Sequence, residues 1–252
     1  MATLTFLGSG AAVPTVGHDN TYLALEGTQS TLLIDCAGSP LLKLQLAGIE
    51  PSRLEYVILT HRHPDHLYGF PALMLGLWLL GCRTPLHVFG EAETLRAAQV
   101  LLDVFHPFEE WPGFCPPAYH EVQLIEHSLI LDLPDLLITA SPATHLVPGL
   151  MLKILNKISG RSIVYSGDTA PCDNLIRLAH GADVLIHEAS GEYMGHSSAA
   201  QAGKAAQRAG VKKLYLIHYP TLTADLNALL AQARQEFAGE VELARDFGVC
   251  EF

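Results

Sequence analysis

Leu59-Thr60-His61-Arg62-His63-Pro64-Asp65-His66 gathers three imidazoles and a carboxylate into six residues. The apolar run just before it, residues 56–59, reads as a buried strand that delivers the chain directly to His61. On a helix, the spacing of His61 and His63 would point the two rings apart. In an extended or tightly turning loop after a strand, all four side chains converge. Imidazole nitrogen and carboxylate oxygen are the ligands that borderline ions such as zinc prefer. The run therefore predicts a metal site at a strand end, since so many polar groups suit neither a core nor an ordinary surface.

Outward from that run, residues 3–7, 21–25 and 31–34 alternate as strands. They are separated by turn-rich segments such as Gly8-Ser9-Gly10 and Gly27-Thr28-Gln29. Residues 40–47 read as a short helix. After His66 come an apolar helix over 70–80, a strand over 86–89 and a helix over 92–104. The second half repeats the alternation, with strands at 136–140, 151–155, 162–165, 184–186 and 214–217. Helices are expected near 174–179, 198–209 and 224–237, and a closing strand at 241–244. No linker divides the halves, so residues 1–252 are expected to form one α/β (α+β) domain, two layers of sheet covered by helices. Residues 106–120 are rich in proline and aromatics and have no clear period; they predict either a packed surface loop or a lid.

The 252 residues are 49% hydrophobic and carry a formal net charge of −11, which leans against a general nucleic-acid surface. Two bound divalent ions would dominate the field that a phosphate meets locally, so the total charge says little about substrate. Five cysteines without a C-x-x-C pair predict free thiols in a reducing compartment. Residues 1–7 lack the basic start of a signal peptide, and residues 70–80 are too short to span a bilayer. A cytoplasmic protein with no membrane partner is expected. The helix over 70–80 is apolar almost all round, and part of it is expected to serve a homodimer interface.

The pattern H-x-H-x-D-H resembles the signature of the metallo-β-lactamase superfamily. That resemblance implies a four-layer αββα sandwich holding two divalent ions, zinc first, with manganese or iron as alternatives. It also implies further ligands at downstream strand ends. His145 follows the run 136–140, Asp168 follows Ile163-Val164-Tyr165-Ser166-Gly167, and His218 ends Leu214-Tyr215-Leu216-Ile217. The resemblance implies that His61, His63 and His145 hold one ion, that Asp65, His66 and His218 hold the other, and that Asp168 bridges them.

The opening Leu4-Thr5-Phe6-Leu7-Gly8-Ser9-Gly10, Gly167-Asp168-Thr169-Ala170-Pro171-Cys172, Val184-Leu185-Ile186-His187-Glu188-Ala189-Ser190 and Gly195-His196-Ser197-Ser198 sharpen the match. These segments resemble the ribonuclease Z group, phosphodiesterases that include the tRNA 3′-processing enzymes. His196 is expected near the ions without ligating them, free to protonate a departing alkoxide. Glu188 is expected to orient His196 or share its proton, and Asp65 to aim the attacking water, while His187 reads as a buried structural histidine. Two departures bear on substrate. Between His145 and Asp168 there is room only for a strand-turn-strand, where the tRNA enzymes place a protruding gripping arm. Asp35-Cys36-Ala37-Gly38-Ser39-Pro40 and Tyr219-Pro220-Thr221 also differ from that group's segments. The expected activity is hydrolysis of a small or nucleotide-like phosphodiester by metal-activated water. The alternatives are tRNA 3′ processing without the usual arm, a lactonase or other acyl hydrolase of the same fold, and a non-catalytic metal-binding module. RNA is not the favoured partner.

Overall fold

In the computed structural model, which describes residues 2–105 and 111–252, the strands divide between two seven-stranded sheets. The first sheet holds β1 (Thr3–Gly8), β2 (Tyr22–Glu26), β3 (Thr31–Ile34), β4 (Leu54–Ile58), β5 (His87–Gly90) and β6 (Ala118–Glu121) in that order. The second is built from β7 (Ser128–Asp132), β8 (Leu136–Pro142), β9 (Leu150–Asn156), β10 (Ser162–Tyr165), β11 (Val184–Glu188), β12 (Lys213–Ile217) and β13 (Glu240–Leu243), also in sequence order. A last strand, β14 (Val249–Glu251), returns to the first sheet and pairs antiparallel with β1.

The period of two along each strand sorts side chains into layers. On β11, Val184 and Ile186 enter the core between the sheets, whereas Leu185 packs outward. Leu4, Leu23, Leu25 and Ile58 meet Ile138, Leu152, Ile163 and Ile217 in that central layer. The outer face of the first sheet packs on α1 (Pro40–Leu46), α3 (Phe70–Leu79) and α4 (Ala92–Val104), with the one-turn α2 (Pro64–Leu67) just before α3. The second sheet is covered by α5 (Asp173–Ala179), α6 (Ala199–Ala209) and α7 (Leu226–Glu236). This is the expected four-layer αββα sandwich. Among the described residues, no helix is long and apolar enough to cross a membrane.

Strand direction decides where the chemistry collects. β3, β4 and β5 run parallel, as do β10 to β13, and β8 shares the direction of β10 because each is antiparallel to β9. The loops leaving β3, β4, β8, β10, β11 and β12 therefore emerge on one rim of their sheets. Backbone bonds tie the two rims together: Leu150 donates to Thr60 O (3.0 Å) and His218 donates to Ser9 O (2.9 Å). Functional groups on such loops are held by the rigid sheets beneath them.

Three strands escape the sequence pattern. β6 lies in the segment expected to be irregular, β7 is short and bulged, and β14 carries little hydrophobic alternation. Each is an edge or near-edge strand, fixed by backbone pairing more than by side-chain pattern. Of the segment 106–120, residues 106–110 lie outside the described residues. Of the rest, Trp111 packs on Trp78 of α3 with ring centroids 4.7 Å apart, and Ala118 opens β6 by donating to Leu86 O. On the same side, Leu42, Leu46, Leu79 and Leu80 stay exposed, where the dimer face was expected.

Gly167, which hands the chain from β10 to Asp168, sits at φ +52°, and a Cβ there would lie 2.7 Å from Leu150 O. Gly160 also has positive φ (+72°), but nothing lies within 4 Å of its Cβ position. Gly160→Ala should therefore cost only the left-handed penalty of about 1–2 kcal/mol. Gly167→Ala should cost clearly more, roughly 3 kcal/mol or above, because clash adds to strain. Urea unfolding of the two variants checks the difference; equal losses would contradict it.

Candidate metal centre

Six strand-end loops converge on one rim, and the seven residues expected to bind metal meet there. The donor atoms of His61, His63, His145 and Asp168 lie within 4.8 Å of one another, and so do those of Asp65, His66 and His218. Asp168 faces both groups, with its carboxylate 3.8 Å from His61 Nε2 and 3.6 Å from His66 Nε2 and from His218 Nδ1. Across the cluster, His145 Nε2 and His63 Nδ1 are 3.1 Å apart, His66 Nε2 and His218 Nε2 3.2 Å, and His218 Nε2 and Asp65 Oδ2 3.3 Å. Two donors bound at about 2.1 Å to one tetrahedral ion are separated by about 3.4 Å. The spacing is that of a coordination polyhedron.

The hydrogen bonds fix which nitrogen of each ring faces inward. His145 Nδ1 donates to Gly195 O (2.7 Å), and a carbonyl only accepts. Ser190 Oγ donates to His218 O, so it accepts from His218 Nδ1 (2.8 Å). Thr60 Oγ1 donates to Asp35, so it accepts from His61 Nδ1 (3.0 Å). His66 Nδ1 donates to Asp35 Oδ2 (2.8 Å). In all four rings the Nδ1 proton is held by an outward oxygen, which leaves the Nε2 lone pair aimed into the cluster. His61 Nε2 and Asp168 Oδ1 are buried with no hydrogen-bond partner. Orphaned acceptors of this kind are costly inside a protein unless a cation answers them. The residues present thus fit a pair of divalent ions.

Charge points the same way. Burial alone would raise the Asp168 carboxyl, but the His218, His66 and His61 imidazoles hold it well below its usual range. Burial likewise opposes ionisation of Asp65, and His218 and His66 overcome it. The His61 ring is pushed well down by burial and by neighbouring imidazoles, so it stays neutral. Burial also disfavours charge on His66, but the Asp168 and Asp35 carboxylates raise it well above an ordinary histidine. The pull that would place a proton there is the pull a cation feels.

His196 forms a third close group with Asp168 and His218, their donor atoms within 4.8 Å of one another. It precedes the N-cap Ser198 of α6 by two residues and does not itself open the helix. Its Nδ1 donates to Glu188 Oε1 (2.9 Å) and lies 3.9 Å from Asp168 Oδ2. Burial lowers the His196 imidazole, but the Glu188 hydrogen bond and charge raise it overall. Glu188 itself is fully buried and links three loops: Oε1 also accepts from Thr169 N, and Oε2 accepts from Ser190 N. His187, on the opposite face of β11, is buried with Nδ1 donating to Glu188 O.

Asp35 is the residue that the motif reading passed over. It leaves β3 at φ +64°, is completely buried, and accepts from Thr60 N (2.7 Å), Thr60 Oγ1 and His66 Nδ1. The signal was present in Leu32-Leu33-Ile34-Asp35, a carboxylate directly after an apolar strand. Ser190 and Gly195, which orient His218 and His145, carried no such signal. Asp35→Ala should weaken metal binding by about 10–100-fold, as loss of groups behind metal ligands does. Competition with a chelator measures this; unchanged affinity would contradict the role.

Comparison with known proteins adds the family. The model of the β-lactamase superfamily domain matches residues 30–219. Ribonuclease BN of Erwinia tasmaniensis is 31% identical, with 98% of this chain and 98% of that one covered. The fold matches the metallo-β-lactamase fold protein YhfI from Bacillus subtilis with a TM-score of 0.84, at 23% identity over 100% of this chain and 99% of that one. Human tRNase Z, short form, matches with a TM-score of 0.79, at 24% identity over 99% and 98%. With a converged histidine and aspartate cluster on the rim of the shared fold, the chain belongs to the metallo-β-lactamase superfamily and, within it, to the ribonuclease Z-like group of metal-dependent hydrolases.

Proposed function

We propose that this hydrolase cleaves the P–O bond of a small or nucleotide-like phosphodiester. The observation that carries the reading is the His196–Glu188 pair at the edge of the donor cluster, with Nδ1 bonded at 2.9 Å and Nε2 left for substrate. Bound by His61, His63 and His145 on one side and Asp65, His66 and His218 on the other, with Asp168 between, two divalent ions would lower the pKa of water and offset phosphate charge. Asp65, mostly buried at the rim and ionised, accepts a hydrogen bond from the attacking water and aims it. As water adds to phosphorus and the ester P–O bond breaks, His196 Nε2 gives its proton to the departing oxygen. Glu188 holds the resulting ring in place and favours its reprotonation from solvent, so that a monoester and an alcohol leave. Acyl transfer from a lactone has less need of such an acid, which is why the diester is preferred.

A second reading is tRNA 3′ processing, since the relative from Erwinia tasmaniensis is named a ribonuclease. Against it stands the short turn joining β9 to β10, in the stretch where a gripping arm would be needed. The alignment with that relative runs over 304 positions, well beyond the 252 residues of this chain, so the relative carries insertions absent here. Zinc is the proposed metal.

Bis(p-nitrophenyl) phosphate, a nucleoside 2′,3′-cyclic phosphate, a lactone panel and a precursor tRNA with a 3′ trailer separate the readings. Diester turnover with intact tRNA is expected; lactone turnover without diester turnover would overturn the proposal, and efficient trailer removal would favour the second reading. His196→Ala should lower kcat on the cyclic phosphate by about 10²–10⁴-fold, with metal content unchanged. The loss on the p-nitrophenyl ester should be smaller, because that phenolate leaves without a proton. Equal losses on both substrates would contradict the acid role.

A further inference from the structure

Beside His196 and His218 runs a slot of about 260 Å³. Ala11, Ala12 and Val13 form one wall, Pro220 and Leu222 the other, with Tyr193 at its side. The walls are pinned to each other. Ala11 N donates to Tyr219 O (3.1 Å), Thr15 Oγ1 donates to Thr221 Oγ1 (2.8 Å), and Gly10 bridges both Asn20 and Tyr219. The slot is therefore preformed. Of the hydroxyl-bearing residues Ser190, Tyr193 and Thr223 that line it, Ser190 is already committed to His218, and among the described residues no lysine, arginine or carboxylate lines it. Val13 (59% exposed), Tyr193 (68%) and Leu222 (69%) leave large apolar side chains open to water. The wider groove on the other flank of residues 192–196 differs in carrying Glu192 and Gln201 beside its apolar Leu146 and Met194.

We infer that this slot receives the departing ester group of the substrate and that this group carries an uncharged aromatic ring. The inference rests on the phosphodiester reading and narrows it. A group on the oxygen that His196 protonates must lie beside His196, which lines both the slot and the wider groove; the slot is the narrower of the two and lacks the groove's carboxylate. Its volume falls below the roughly 300–1,000 Å³ of pockets that enclose whole ligands, and suits one ring. A polynucleotide leaving arm would bring a further phosphate against these walls, where no lysine or arginine meets it. An apolar ring instead removes Val13, Tyr193 and Leu222 from water.

Titration calorimetry of the metal-loaded protein with phenylphosphonate and methylphosphonate tests this directly. Both carry the same charged head, and only one carries a ring. The wild type should bind phenylphosphonate about tenfold more tightly or better, the scale of discrimination that an apolar pocket reaches. Leu222→Asn and Val13→Asn, neutral polar replacements at exposed positions outside the metal centre, should each abolish that preference and leave methylphosphonate affinity unchanged. Equal binding of the two ligands by the wild type, or a preference that survives both substitutions, would overturn the slot assignment. Diester turnover by the same wild-type sample separates the two failures: turnover without ring preference removes the slot alone, and no turnover of any diester removes the underlying reading as well.

Discussion

Four Nδ1–H groups, each held by an oxygen outside the cluster, govern the chemistry of this rim. Because His61, His66, His145 and His218 cannot offer those protons inward, each presents a lone pair on Nε2. These nitrogens and two ionised carboxylates crowd a common space, and His61 Nε2 and Asp168 Oδ1 have no hydrogen-bond partner there. The fold holds that arrangement by rigid backing. Two divalent ions held there would relieve that crowding as the largest local charges of the site.

The backing is itself costly. Asp35 (φ +64°) and His218 (φ +52°) leave their strands in the left-handed region, which costs about 1–3 kcal/mol for such residues. Both positions are over-determined by buried hydrogen bonds: Asp35 by Thr60 and His66, His218 by Ser9 O and Ser190. Glu188 performs the equivalent service on the other side, joining the loops of Thr169, Ser190 and His196 through one carboxylate. A single buried acid thus couples the orientation of His196 to the loops of Thr169 and Ser190. The apolar slot shares this construction, since the loops carrying Ala11 and Pro220 are the same ones that hold His218.

Much of this was legible in the chain. His61, His63, Asp65 and His66 announce themselves because no core and no solvent-facing loop has use for that density of donors. Once the motif is seen, His145, Asp168 and His218 follow from one rule, a ligand-type residue directly after an apolar strand. The same rule applied evenly would have raised Asp35. Ser190 and the Gly195 carbonyl lie beyond it, because a hydroxyl or a backbone oxygen gains its role only from what folds against it. β6 and β14 were missed for a related reason: their pairing is a backbone matter, and edge strands need no strict alternation. The pattern of exposed Val13, Tyr193 and Leu222 around the rim is equally silent in one dimension, since the three lie far apart in sequence.

Anomalous diffraction from crystals grown with zinc and collected across its absorption edge tests the central claim most directly. Two peaks per chain are predicted, one among His61 Nε2, His63 Nδ1 and His145 Nε2, the other among Asp65, His66 Nε2 and His218 Nε2, with Asp168 touching both. A single peak, ligation through the Nδ1 atom of His61, His66, His145 or His218, or ions bound away from Asp168 would contradict it.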